Sequence, residues 1–324
     1  MREGLVVVGG SYAAVQTAAA ARQGGYQEPI RLLTEEDRAP YQRPPLSKGL
    51  LTGAVAESAL PIRADAFYRE HGIEVHTRTH VRAIERDARR VMCEDGRVVA
   101  YDRLALATGA RPRALSLPGA QLEGVLTLRT LADARALKEA LACAENVVVI
   151  GGGFIGLEVA ASAASLGRKV AVLELQDRLL ARACPPGLAS WFAALHAQHG
   201  VQIVLGARVA ALKGDEGRVR AVALEDGSTR AADLVLAGIG VVPNAELAQA
   251  CGLPCADGIV VDRLARTADA RIVAAGDCTR YPSLWSEAPL RLESVQNAMD
   301  QARTAGATLA GRESPYDAVP WFWS

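Results

Sequence analysis

Two stretches of the chain share one hydrophobic pattern. Leu5-Val6-Val7-Val8 is an unbroken apolar run, followed by Gly9-Gly10-Ser11-Tyr12-Ala13-Ala14 and an alanine-rich stretch to Arg22. Val147-Val148-Val149-Ile150 is followed by Gly151-Gly152-Gly153-Phe154-Ile155-Gly156 and a second alanine-rich stretch to Leu166. A β-branched run without polar alternation reads as a strand buried on both faces. The small residues beyond the glycines read as a helix packed close to it. Run, glycine turn and helix together open a βαβ unit in a parallel sheet. Each unit closes on a second run: Ile30-Arg31-Leu32-Leu33-Thr34 ends at Glu35-Glu36, and Lys169-Val170-Ala171-Val172-Leu173 ends at Glu174.

Further buried strands are expected within Leu104 to Pro112, Leu234 to Gly240 and Ile272 to Asp277. They stop at Ala107-Thr108-Gly109, at Gly238-Ile239-Gly240 and at Gly276-Asp277. Asp95-Gly96 and Asp226-Gly227 predict tight hairpin turns. Arg38 to Gly53 is rich in Pro and Gly and reads as a loop. The fold class expected is α/β with two doubly wound Rossmann-like domains.

Length agrees, since 324 residues exceed what one hydrophobic core usually serves. Half the residues are apolar, and 36 basic residues balance 36 acidic ones. No global field therefore draws the chain to nucleic acid or to an anionic membrane. No apolar run is long enough to span a bilayer, and the opening run is too short for a signal-peptide core. A cytoplasmic location is the expectation. Cys93, Cys143, Cys184, Cys251, Cys255 and Cys278 form no Cys-x-x-Cys, and the five histidines are scattered. Neither a metal site nor a disulfide framework is expected.

The glycine turns carry the chemistry. Gly151 allows the tight turn, Gly153 lets the backbone approach a pyrophosphate, and Gly156 lets the helix pack close to the sheet. Unpaired N–H groups at the helix N-terminus then face the phosphates. Glu174 stands where a ribose hydroxyl is held and where a 2′-phosphate would be repelled, which favours NADH over NADPH. Arg178 and Arg182 lie nearby and leave some NADPH use open. The first turn departs from this pattern, with Ser11 and Ala14 at the second and third glycine positions. Ser11 adds a side chain where the pyrophosphate comes closest, although its hydroxyl is suited to bonding a phosphate.

Longer motifs make the chain resemble the FAD-dependent, NADH-using ferredoxin reductases of bacterial oxygenase and cytochrome P450 systems. They are Gly9 to Ala14, Pro40-Tyr41-Gln42-Arg43-Pro44-Pro45-Leu46-Ser47-Lys48, Ala107-Thr108-Gly109, Leu128-Arg129-Thr130, Gly151 to Glu158, Gly238 to Asn244, Gly276-Asp277-Cys278, Glu293 to Ala298 and the closing Pro320-Trp321-Phe322-Trp323-Ser324. The resemblance implies a glutathione-reductase-like pair of domains: FAD on residues 1–112 and 244–324, NADH on 113–243. It implies a third, smaller domain beyond Trp-Phe-Trp-Ser, which this sequence does not contain.

The resemblance also implies roles. For FAD these fall on Gly9, Ser11, Tyr12, Ala13, Ala14, Glu35, Arg43, Lys48, Val81, Ala107, Thr108, Gly109, Arg129, Gly276, Asp277 and Val295. Glu35 would hold the adenosine ribose, Val81 would sit at the adenine, and Asp277 would bond the ribityl chain. For NADH they fall on Gly151, Gly153, Phe154, Ile155, Gly156, Glu158, Glu174, Gly238, Ile239 and Gly240. Lys48 and Glu158 are the candidate catalytic pair, Lys48 as a cation near the flavin edge where reduction places negative charge. The plainer alternatives are an exposed loop lysine at Lys48 and a helix N-cap at Asp277. Disulfide reductases of this fold carry a redox cysteine pair beside the flavin, and related peroxidases and oxidases carry one reactive cysteine; here none lies in the Arg43–Lys48 run. Electrons are therefore expected to leave for an external acceptor, a [2Fe-2S] ferredoxin. The alternatives are rubredoxin, a quinone or oxygen as acceptor, or a slow-turnover redox-sensing protein that binds both cofactors.

Overall fold

The computed structural model describes residues 3–324; Met1 and Arg2, at the start of the opening segment, lie outside them. The chain divides into two compact units. The first comprises Met1–Gln42, Pro61–Arg111 and Val242–Trp323; the second comprises Arg43–Leu60, Pro112–Val241 and Ser324.

Each unit is built on a five-stranded parallel sheet. In chain order the strands are β1 (Leu5–Val8), β2 (Ile30–Leu33), β3 (Ile73–His76), β4 (Arg103–Leu106), β5 (Val125–Leu126), β6 (Asn146–Ile150), β7 (Lys169–Glu174), β8 (Val201–Leu205), β9 (Leu234–Ala237) and β10 (Ile272–Ala274). The principal helices are α1 (Tyr12–Gly24), α2 (Leu131–Cys143), α3 (Phe154–Ser165), α4 (Pro186–Gln198) and α5 (Val295–Leu309).

In the first unit the strand order is β10-β4-β1-β2-β3. Val8 stands in register with both Leu33 and Leu106, and Ala274 with Leu106. The sheet is apolar on both faces because both are covered. Leu5, Val7, Ile30, Leu32 and Val273 enter one core cluster, and Val6, Val8, Leu33, Leu104 and Ile272 enter the other. Helices α1 and α5 pack against each other through small residues; a methyl group on Gly306 would lie 2.6 Å from the Thr17 carbonyl oxygen. The alanine-rich run after Gly10 is what permits that approach.

The second unit repeats the plan in the order β8-β7-β6-β9-β5. Ile150 stands in register with Leu173 and Ala237. Val147, Val149, Val170 and Val172 face one cluster, Val148, Ile150 and Leu173 the other. Each unit adds a three-stranded antiparallel sheet, and the turns at Asp95-Gly96 and Asp226-Gly227 fall between paired strands as the dipeptides predict.

The segment read as a loop, 38–53, holds two helical turns, Pro44–Ser47 and Gly49–Thr52. Pro44 opens the first, where its fixed φ suits the start of a helix and its missing N–H costs nothing. Leu46, Leu50 and Leu51 are buried beneath them. Residues 43–60 belong to the second unit, whereas the sequence reading placed 1–112 together. The reason is their bonding: Arg43, Ser47, Lys48 and Glu57 all pair with groups of the second unit.

Candidate dinucleotide-binding sites

In the second unit Gly151 follows β6 and Gly238 follows β9, so both lie at the carboxyl ends of adjacent strands. Ligands bind in that position in open α/β sheets. Gly151 has φ 107°, a conformation that side chains disfavour. A methyl group on Gly156 would sit 2.2 Å from the Gly151 carbonyl oxygen, so the helix lies hard against the turn. At Gly153, the N-cap of α3, a methyl group would meet no atom within 4 Å. The turn is packed tightly from beneath and open above the helix N-terminus, whose first turn carries no acid. That is the shape and charge a pyrophosphate needs.

Glu174 does more than end its strand. Its Oε2 accepts from the Gly152 N–H at 2.6 Å, and its Oε1 accepts from the Gln176 N–H at 2.7 Å. The carboxylate is thus tied to the glycine turn, with lone pairs left for ribose hydroxyls. Phe154 is half-buried, while Ile155 stands 45% exposed on the open side of the first helical turn. Gly238, Ile239 and Gly240 are half-buried after β9. Gly240 faces Arg182, whose Nη2 would be 3.8 Å from a methyl group there.

Glu158, one turn into α3, has a largely buried side chain and pairs with Lys48, Nζ to Oε1 2.7 Å. The Ser324 hydroxyl donates to the same oxygen and the Ser47 hydroxyl donates to Oε2. Ser162, one turn further along α3, donates its hydroxyl to the Ser47 carbonyl at 2.8 Å. Arg43 donates to the Arg129 carbonyl at 2.6 Å, and the Arg129 N–H donates to Asp133. Arg43, Lys48 and Arg129, three of the residues assigned to FAD, therefore come together in the second unit.

In the first unit three candidate segments lie side by side at strand ends: Gly9 after β1, Ala107-Thr108-Gly109 after β4, and Gly276-Asp277 just past β10. A methyl group on Gly9 would be 2.1 Å from the Ala107 carbonyl oxygen. Ser11 is the N-cap of α1 and makes no side-chain capping bond, and no acid stands in the first turn. The N–H groups there are left for an anion. Ala13 and Ala14 are buried and Tyr12 is half-buried; burial pushes the Tyr12 phenol up. Asp277 lies in a turn closed by the Thr279 N–H bonding the Gly276 carbonyl, and no helix starts there, which removes the N-cap alternative. Val295 opens α5, capped by the Ser294 hydroxyl.

Other assigned residues are placed less simply. Glu35 is exposed and pairs with His80, Nδ1 to Oε2 3.0 Å. Val8 pairs with Leu33 as Ile150 pairs with Leu173, so the first unit's equivalent of Glu174 is Thr34, the residue after Leu33. Val81 packs in a core cluster with Ile84 and Cys93, so a contact to adenine would come through its backbone. The Thr108 hydroxyl donates to the Asn244 carbonyl at 2.6 Å, and the Asn244 N–H returns to the Gly109 carbonyl.

Sequence reasoning passed over several residues that build these sites. Gln301 is buried beneath the Gly276 turn, and its Oε1 accepts from the Gly276 N–H at 2.9 Å and from the Thr279 hydroxyl at 2.8 Å. No local signal marks it. Ser162 stands four residues after Glu158, and helical spacing alone places the two on one face. The six cysteines are free, and burial pushes the thiols of Cys93, Cys251, Cys255 and Cys278 up. Those four are held as thiols rather than reactive thiolates. Among the described residues no cluster of His, Cys, Asp or Glu is arranged to hold a metal, and no helix is long and apolar enough to cross a membrane.

Comparison with known proteins agrees with this architecture. A family profile described as pyridine nucleotide-disulphide oxidoreductase matches residues 4–302. The chain is 44% identical to rhodocoxin reductase of Rhodococcus erythropolis, over 99% of this chain and 75% of that protein. It is 41% identical to rubredoxin-NAD(+) reductase of Pseudomonas putida, over 99% of this chain and 83% of that one. The crystal structure of the covalent putidaredoxin reductase–putidaredoxin complex superposes with a TM-score of 0.95 at 40% identity, covering 100% of this chain and 79% of that one.

Proposed function

The chain belongs to the pyridine nucleotide-disulphide oxidoreductase family, and from that premise we propose that it takes hydride from NADH and hands single electrons to a small [2Fe-2S] ferredoxin. It is an oxidoreductase that binds FAD and NAD(H). FAD supplies the conversion of a two-electron hydride into single-electron steps.

The FAD turn is assigned to the first unit and the NADH turn to the second, with Arg43, Lys48 and Arg129 of the second unit also assigned to FAD. The observation that carries a two-dinucleotide reading is the pair of strand-end turns, each opening a helix with no acid in its first turn. Gly151 to Gly156 hold the NADH pyrophosphate, and Glu174 accepts from the ribose hydroxyls. Gly9 to Ala14 do the same for the FAD pyrophosphate, and Asp277 accepts from the ribityl hydroxyls. With FAD bound, Lys48 would supply an ammonium to stabilise negative charge on the reduced flavin, and Glu158 holds that ammonium in an ion pair.

The cysteines support an external acceptor. Burial keeps four of the six protonated, and none lies in the 43–48 run. A rubredoxin is the second reading, favoured by the similarity to rubredoxin reductases. Rapid mixing of the NADH-reduced protein with a [2Fe-2S] ferredoxin, a rubredoxin, a quinone and oxygen distinguishes them. Reoxidation should be fastest with the ferredoxin. Equal or faster reoxidation by rubredoxin transfers the assignment to that carrier, and slow reoxidation by all four rejects an electron-transfer role.

A further inference from the structure

Glu158 and Ser162 stand at positions i and i+4 on α3, and both reach residue 47. Ser47 is 1% exposed and Ser162 is 7% exposed. Ser162 donates its hydroxyl to the Ser47 carbonyl at 2.8 Å, and Ser47 donates its own hydroxyl to Glu158 Oε2. The other acceptor within reach of the Ser47 hydroxyl is the Pro44 carbonyl at 3.5 Å, the outer limit for a hydrogen bond. A hydroxyl has one proton to give, and a carboxylate at short range outcompetes a distant carbonyl. Residue 47 is therefore gripped twice by one helix, once through its backbone and once through its side chain.

The next residue is Lys48. It leaves the 3₁₀ turn ending at Ser47 and begins the short helix Gly49–Thr52. Its ammonium meets Glu158 Oε1, the oxygen opposite the one that Ser47 holds. A carboxylate bonded at one oxygen alone can pivot about its own bond. One bonded at both oxygens presents a fixed direction to its cation. The Ser324 hydroxyl also donates to Oε1, so Ser47 is the donor that orients the carboxylate from the Oε2 side.

We infer that Ser47, anchored by Ser162, is a positioning residue that fixes Glu158 so that the Lys48 ammonium is held in one place. The inference rests on the reading of Lys48 and Glu158 given above, and it adds to that pair a buried hydroxyl on the residue before the lysine. It explains why a serine precedes the lysine within a turn of otherwise apolar and proline residues. An alanine would fill the buried position equally well but would leave Oε2 without its donor.

The test reads Lys48 directly. The FAD-loaded protein is treated with an amine-acetylating reagent, and the rate of Lys48 modification is followed by peptide mass spectrometry. An ammonium held in an ion pair reacts slowly, so Ser47→Ala should speed the modification about threefold, while Ser47→Thr, which keeps the hydroxyl, should stay near the native rate. Glu158→Gln should speed it at least as much, and Ser47→Ala added to Glu158→Gln should change nothing further. In parallel, the limiting rate of flavin reduction at saturating NADH should fall about tenfold in Ser47→Ala, with the dissociation constant for NAD+ unchanged within about twofold. If Ser47→Ala does not fold, Ser162→Ala makes the same test from the other arm of the grip. A native acetylation rate in Ser47→Ala overturns the inference, as does an equal acceleration with and without Glu158. If instead Glu158→Gln leaves flavin reduction unchanged, the catalytic reading of the pair fails while the grip on Lys48 stands.

Discussion

Two glycines five and two residues beyond Gly151 separate binding from packing. Gly153 has open space where a side chain would begin, and Gly156 has the Gly151 carbonyl oxygen at 2.2 Å. Gly153→Ala should leave the unfolding midpoint nearly unchanged and weaken NADH binding about tenfold or more, because the methyl group enters the space kept for the pyrophosphate. Gly156→Ala should destabilise the protein by about 2 kcal/mol, since backbone must move to admit the methyl group. Thermal unfolding and NADH titration of both variants are the measurements; unchanged NADH affinity in Gly153→Ala would remove that residue from the site. Glu174 accepts from the Gly152 N–H of the turn at one oxygen and from the Gln176 N–H, two residues further along, at the other, so its carboxylate is held beside the turn. Glu174→Arg should reduce the preference for NADH over NADPH about tenfold or more, read as the ratio of kcat/KM with ferricyanide as acceptor. NADH activity should fall as well, because the turn loses its anchor. A ratio equal to that of the native protein would show that Glu174 serves the turn alone.

At the scale of elements, the functional segments are strand ends whose geometry is set by what lies beneath them. The turn after β10 rests on α5, where Gln301 takes up both the Gly276 N–H and the Thr279 hydroxyl. Gln301→Leu would leave the buried Gly276 N–H without an acceptor, at a cost of about 2 kcal/mol, while the Thr279 hydroxyl keeps the Gly276 carbonyl at 2.9 Å. Asp277 should then lose its fixed position. The expected results are a lower denaturant midpoint and a faster release of FAD, followed by the recovery of flavin fluorescence. A variant that is destabilised yet retains FAD as the native protein does would show that the turn does not depend on this amide. The segment 43–60 makes a related point. Its prolines and glycines resemble loop chemistry, yet Leu46, Leu50, Leu51 and Leu60 are buried and the segment forms three short helical pieces.

On the scale of the molecule, each unit has its own pair of core clusters flanking its own parallel sheet. A ligand stabilises the unit that binds it by mass action, by about 4 kcal/mol when present at a thousand times its dissociation constant. FAD should therefore raise the unfolding temperature of one calorimetric transition, and NAD+ that of another. Limited proteolysis assigns them: FAD should protect residues 61–111 and 242–323, and NAD+ residues 112–241. Protection in the reverse sense would exchange the two assignments.

Much of this protein is determined by its sequence alone. The two βαβ openings, their acids and the Asp-Gly hairpins are local signals, because apolar periodicity and glycine conformation act over a few consecutive residues. The family resemblance was legible for the same reason, since its motifs are short runs such as Arg43-Pro44-Pro45-Leu46-Ser47-Lys48. Only the tertiary structure decided which unit holds that run, that Thr34 rather than Glu35 is the first unit's equivalent of Glu174, and that His80 pairs with Glu35. Only it brought Ser47 to Glu158 across 111 residues and Gln301 to Gly276 across 25. A lone serine or glutamine has no periodicity to reveal its partner. Its hydrogen bond exists because the packed strands and helices deliver a second polar group to the same buried place, where each would be costly to leave unpaired.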